Sequence, residues 1–176
     1  IWVSGTLGDA AAALAHHQGR LRLETDQAVR CFPRLFVPTP RIELGRSLRG
    51  IAHACIDVSD GFMADLGHIL ERSNLGAEVW FEKLPLSDAL EPMRENPVAQ
   101  DCVLTGGDDY ELVFTAPAKN RTLIEAIGQK LNLRLTRVGQ AQARSLQAKK
   151  ESPQLRILTN GQPMPLTRTG FDHFAA

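Results

Sequence analysis

Residues 54–73 constrain the fold of this chain more than any other stretch. Ala54-Cys55-Ile56 is a short apolar strand candidate that runs straight into Asp57-Val58-Ser59-Asp60-Gly61. Beyond that turn Phe62, Leu66, Ile69, Leu70 and Ser73 recur at helical spacing and define one buried stripe. A strand that needs a sheet, followed at once by a helix that needs a core, points to layered α and β structure. A second turn of similar make-up, Thr105-Gly106-Gly107-Asp108-Asp109, leads into a strand over residues 110–115.

The remaining pattern fits the same reading. Ile1-Trp2-Val3 reads as a short buried strand, and Asp9 can cap a helix over residues 10–17. Residues 24–32 look helical and stop before Pro33. Val37-Pro38-Thr39-Pro40 cannot be helical, and residues 41–48 restart a helix. Gly76 is expected to end the helical region, ahead of a strand over residues 77–81. Ser87 can cap a short helix containing Ala89 and Leu90. Leu123, Ile124, Ile127 and Leu131 mark another amphipathic helix, followed by a strand over residues 133–138. Residues 141–153 read as an exposed loop. Residues 156–161 read as a strand entering an Asn160-Gly161 hairpin turn. Strands and helices mix without strict alternation, so the expectation is one α+β domain, a mixed β-sheet flanked by helices.

Composition narrows the functions. The 176 residues are 43% hydrophobic and 23% charged, enough for one domain with its own core. Lys plus Arg and Asp plus Glu are equal at 20 each, so nothing draws the chain generally to nucleic acid or an anionic membrane. No apolar run is long enough to span a bilayer, and Ile1-Trp2-Val3 has no charged leader or cleavage site. The absent initiator Met and the start inside a strand suggest a piece of a longer protein. Three widely spaced cysteines, Cys31, Cys55 and Cys102, form no zinc pattern or disulfide framework and suit a reducing cytoplasm.

The chemistry concentrates in the turns. Asp57 and Asp60 lie three residues apart where a strand meets a helix, and could give magnesium the one or two carboxylates it takes from a protein. The helix N-terminus and the Ser59 hydroxyl could meet phosphate oxygens. The same residues also serve as ordinary helix caps, the commoner use of Asp and Ser at such positions. Asp108 and Asp109 would repel each other unless solvated, hydrogen-bonded or facing a cation, and the glycines before them allow close approach. A plain polar turn has the same composition. Gly5 and Gly8 follow a strand and precede a helix, a place for phosphate or simple punctuation, without a dinucleotide or P-loop fingerprint. His16, His17, His53, His68 and His173 lack metal spacing, and no nucleophile has a visible activating partner. Phe171 and Phe174 stand in a polar tail as packing anchors or as a stacking platform for a flat ring.

Taken in order, these segments resemble the thiamine-monophosphate kinases. The resemblance is carried by Val3-Ser4-Gly5-Thr6-Leu7-Gly8-Asp9, Pro38-Thr39-Pro40-Arg41 and Ile56-Asp57-Val58-Ser59-Asp60-Gly61. It continues in Leu84-Pro85-Leu86-Ser87-Asp88-Ala89-Leu90, Gly106-Gly107-Asp108-Asp109-Tyr110-Glu111-Leu112 and Gly170-Phe171-Asp172-His173-Phe174. It implies the C-terminal domain of the aminoimidazole ribonucleotide synthetase superfamily over residues 1–176. An N-terminal domain, absent from this chain, would carry further magnesium-binding aspartates and form the homodimer. The implied activity is direct transfer of the γ-phosphoryl group of ATP to thiamine monophosphate in the cytoplasm, with this piece inactive alone. Asp57 and Asp60 would bind magnesium, Ser59 would contact ATP, and Asp108 and Phe171 would contact the thiamine portion. The family more often has Glu at position 108 and a larger aromatic at position 171. A sister synthetase or kinase of the superfamily would share Asp57, Ser59 and Asp60 without the substrate pair; a non-catalytic nucleotide-binding module is the other alternative.

Overall fold

The computed structural model describes residues 1–143 and 155–164. In chain order the elements are β1 (Trp2–Ser4), α1 (Asp9–His17), α2 (Thr25–Phe36), α3 (Ile42–Ser47), β2 (Ala54–Asp57), α4 (Phe62–Ser73) and β3 (Leu75–Trp80). They continue with α5 (Pro97–Thr105), β4 (Leu112–Thr115), α6 (Arg121–Leu131), β5 (Leu135–Arg137), β6 (Gly139–Ala143), β7 (Leu155–Thr159) and β8 (Gln162–Pro163).

The α+β expectation holds, with the strands divided between two four-stranded sheets. The first runs β2-β4-β1-β5 with every pair antiparallel. The second runs β6-β3-β7-β8 and is mixed, β3 and β7 being parallel. Val138 joins them: its N–H donates to the Ile1 carbonyl and its own carbonyl accepts from Trp80 N–H.

Alternation along β1 feeds two cores. Val3 and its register partner Val113 face the large core, which gathers Phe62, Leu66 and Leu70 of α4 and Val103 of α5. Trp2 and its partner Phe114 lie on the other face, rings stacked at 6.4 Å, over Leu44, Leu48 and Ile124.

Several sequence expectations need correction. Asp9 is the first residue of α1 and not its cap; Gly8 holds that position without a side-chain hydrogen bond. α2 continues through Pro33 to Phe36. The bond Pro33 cannot make is to the Val29 carbonyl, at a water-facing position of the helix, while Phe32 and Leu35 still pack on the core. α4 ends at Asn74 in the left-handed conformation, and Gly76 lies inside β3. Ser87 Oγ accepts from Leu90 N–H, but residues 88–90 form a turn, with one turn of 3₁₀ helix at Glu91–Met93. α5, opened by Asn96 accepting from Val98 and Ala99 N–H, had gone unread. Of residues 141–153, the first three belong to β6 and the rest lie outside the described residues. The Asn160-Gly161 turn is as expected, both φ values positive and β8 following.

Candidate functional site

Topology brings the three turns together. β1 and β2 both run antiparallel to β4, so the ends of β1 and β2 lie beside the start of β4, with Asp57 opposite Leu112. The turns at residues 5–8, 57–61 and 106–111 therefore share one end of the first sheet. They are hydrogen-bonded to one another. Asp108 N–H donates to Ser59 O at 3.0 Å, Tyr110 N–H to Val58 O at 2.8 Å, and Val58 N–H to Glu111 O at 2.8 Å. A Cβ on Gly107 would overlap the Ser59 carbonyl oxygen, so only glycine lets the two acidic turns approach this closely.

Asp57 is exposed at the end of β2, and Ser59 and Asp60 are half-buried in the turn. The cap of α4 is Gly61, with no side-chain cap hydrogen bond, so capping does not account for Asp57, Ser59 or Asp60. The turn is held by Asp65, a buried residue of α4 that the sequence reading passed over. Its carboxylate accepts from Ser59 N–H at 3.0 Å and Asp60 N–H at 3.1 Å. Burial raises its pKa above the ordinary carboxyl value; those two bonds oppose the shift, while the charges of Asp60 and Asp57 add to it.

Asp108 is exposed and sits at φ 67°, a left-handed conformation that Asp tolerates. Tyr110 is also left-handed, at φ 50°, which is rare for a bulky side chain. Its hydroxyl donates to Asp108 Oδ1 at 3.3 Å. The phenol pKa is raised by Asp108 first, then by partial burial, with Asp57 and Asp60 contributing. Asp57, Asp60 and Asp108 thus give this end of the sheet an acidic rim whose charges bear on the Tyr110 hydroxyl. Phe171 lies outside the described residues.

The glycine turn at residues 5–8 behaves differently from a phosphate loop. Gly8 N–H donates to both carboxylate oxygens of Asp109, at 3.0 and 2.8 Å. Gly5 N–H donates to Arg134 O and Leu7 N–H to Pro85 O. These amides are engaged inside the protein and are not directed at a ligand. The second acid of the Asp108-Asp109 pair is accordingly structural: Asp109 is fully buried. Desolvation raises its pKa well above the ordinary carboxyl value, against the Gly8 bond and with help from the charge of Asp9.

Behind the rim lies an ionic cluster that local pattern did not reveal. Glu111, buried just before β4, pairs with Arg34 of α2 and with Arg41 just before α3. The histidines and cysteines stand apart from this chemistry. His16 Nδ1 accepts from Leu23 N–H, and the thiols of Cys31 and Cys102 are pushed up to about 12 and about 11, chiefly by burial. Among the described residues no three His, Cys, Asp or Glu side chains are grouped to hold a metal ion. What the site offers is a pair of carboxylates with a hydroxyl, and beside them a third carboxylate with an aromatic ring. That set suits charge neutralisation and positioning of a cation or metal-bound phosphate more than covalent attack.

Comparison with known proteins agrees in fold and extent. The family described as AIR synthase related protein, C-terminal domain, matches residues 1–149. The thiamine-monophosphate kinase of Haemophilus influenzae is 44% identical over 176 residues, covering 99% of this chain and 52% of that protein. The crystal structure of thiamine-monophosphate kinase from Stenotrophomonas maltophilia superposes with a TM-score of 0.77 at 43% identity, covering 93% of this chain and 50% of that one. A structure of AaThiL complexed with AMPPCP and TMP superposes with a TM-score of 0.70 at 29% identity, covering 98% of this chain and 50% of that one. The chain spans about half the length of the curated relatives it matches.

Proposed function

The chain belongs to the AIR synthase related family, in its C-terminal domain, and on that premise we propose that the whole protein is a thiamine-monophosphate kinase. It transfers the γ-phosphoryl group of ATP to the phosphate of thiamine monophosphate, giving thiamine diphosphate. The observation that carries the reading is the meeting of Asp57, Ser59, Asp60 and Asp108 at one end of the first sheet, each from a turn fixed by backbone hydrogen bonds. Relatives named thiamine-monophosphate kinase that align with 99% of the chain support it, as does a neighbour bound to AMPPCP and TMP.

Phosphoryl transfer between two phosphates needs charge neutralisation and alignment, and no protein nucleophile. Asp57 and Asp60 fit magnesium: both are hard oxygen donors, and both are close enough to bear on Asp65 and Tyr110. They would hold the ion, which when bound supplies neutralisation of phosphate charge; water, phosphate oxygens and groups from the other half of the protein would complete its shell. Ser59 would donate its hydroxyl to ATP. Asp108 would face the thiazolium cation, and Phe171 would pack on a thiamine ring. A carboxylate beside a partly exposed cation contributes on the order of 1 kcal/mol. The other half would be an N-terminal domain that also forms a homodimer, and the enzyme would work in the cytoplasm, where its three unpaired cysteines remain reduced. The test is an assay of the whole protein for ATP-dependent formation of thiamine diphosphate. A pure, folded protein that forms none, but acts on another acceptor, would replace this reading with that of a sister enzyme.

A further inference from the structure

Glu111 is a buried carboxylate to which the proposed reaction assigns no task. It accepts from Ser4 Oγ at 2.6 Å, Arg34 Nη2 at 2.8 Å, Arg41 Nε at 2.7 Å and Arg41 Nη2 at 2.5 Å. Ser4 Oγ in turn accepts from Leu112 N–H, and Arg34 Nη2 also donates to the Asp109 carbonyl at 3.2 Å. A Cβ on Gly5 would overlap the Glu111 carboxylate, so the first turn is shaped around it. One side chain therefore ties together β1, the end of α2, the segment before α3 and the 106–111 turn.

Stability alone is a poor reason for this arrangement. Buried ion pairs are often no better than packed apolar residues of the same volume. Arg34 Nε, moreover, is buried with no hydrogen-bond partner among the described residues. Placement is a better reason. The adjoining turn carries two non-glycine residues in the left-handed region, Asp108 and Tyr110, a conformation that persists only where the surroundings over-determine it. Ser59 O and Val58 O hold it from one side through the Asp108 and Tyr110 amides. Arg34 and Arg41, locked on Glu111, hold it from the other.

We propose that Glu111, with Arg34 and Arg41, is a positioning latch that fixes the 106–111 turn and so aims Asp108 beside Asp57 and Asp60. The substrate names in its test rest on the kinase reading; the latch itself does not. In the whole protein carrying Glu111→Gln, amide exchange at residues 108 and 110 should accelerate about tenfold or more, while β4 at residues 113–114 stays protected. Arg34→Lys keeps the charge and removes the orphaned Nε–H. It should loosen the same two amides, and it serves where Glu111→Gln does not fold. In both variants the KM for thiamine monophosphate should rise about fivefold or more, with that for ATP within about twofold. Arg46→Ala, an exposed control, should change neither. Unchanged exchange at residues 108 and 110, or acceleration equal to that of β4, overturns the latch, as do normal kinetic constants in the folded variants. A wild-type protein inactive on thiamine monophosphate overturns the kinase reading and leaves the exchange result to decide the latch.

Discussion

Asp57 and Asp60 stand at the mouth of a helix that they do not cap, since Gly61 is the cap and no side chain bonds there. Asp57→Asn and Asp60→Asn remove the charge while keeping a side-chain oxygen of the same shape, so the fold should hold with at most about 1 kcal/mol lost. Asp57→Asn or Asp60→Asn in the whole protein should nonetheless abolish most turnover and shift its magnesium dependence. Steady-state kinetics beside thermal melts checks this, and a folded double variant with normal activity removes the metal role. Asp109 gives the opposite kind of prediction. Its pKa is raised, mainly by burial. Below the ordinary carboxyl value of 3.8 both native and unfolded chains hold the proton, and the residue adds no pH dependence. Above 3.8 the unfolded chain releases it while the native chain retains it, so stability falls as pH rises toward the raised native pKa. Asp109→Asn keeps an oxygen for Gly8 N–H and removes the titration. Its stability should fall less steeply than wild type from pH 4 to neutrality in urea titrations at several pH values, and parallel curves would show that burial does not perturb this group.

At the scale of elements, the site is a set of turns propped by the elements around them. Asp65, one turn into α4, holds the amides of Ser59 and Asp60. Asp65→Ala leaves both donors unpaired and should cost about 1–3 kcal/mol. It should also raise the KM for magnesium-ATP, because Ser59 and Asp60 lose their common anchor. Asp65→Asn retains an acceptor oxygen and should recover most of both effects. If the alanine variant lowers the melting temperature but leaves that KM unchanged, the turn does not depend on its prop. Most of the strands and the 57–61 and 106–111 turns were legible in the sequence because glycine, acid and apolar alternation act locally; the polar β6 lacks that alternation and read as loop. α5 was missed although its start carries a local signal, Asn96 capping the helix just before Pro97. Pro33 misled because the carbonyl it leaves without a partner, that of Val29, lies at an exposed position, and α2 continues past it. The latch was not legible: Glu111 lies 77 and 70 positions from Arg34 and Arg41, and no periodicity links such partners.

For the whole molecule, cooperativity and incompleteness meet. The sheets share Val138 and the large core, which takes Val3 and Val113 from the first and Val79 and Ile157 from the second. They should melt together, because the chain passes between them three times, from β2 to β3, from β3 back to β4 and from β5 to β6. Two tryptophans report on this separately. Trp2 is buried in the first sheet, while Trp80 lies in the second, flanked by Lys83 at 4.6 Å and Arg137 at 4.9 Å. In urea titrations of this chain, Trp2→Phe and Trp80→Phe variants should each show one fluorescence transition coincident with that of the helical circular dichroism. Separated midpoints would mean that the sheets fold independently. The same purified chain should have no kinase activity. On the kinase reading Asp57 and Asp60 would be two carboxylates for an ion that must neutralise several phosphate charges; no larger metal-binding group is found among the described residues, and the chain spans about half of the relatives it matches. Adding the other half as a separate polypeptide should restore turnover in proportion to complex formed. Turnover by the chain alone, surviving repurification and lost in Asp57→Asn, would show that the acidic rim suffices for catalysis.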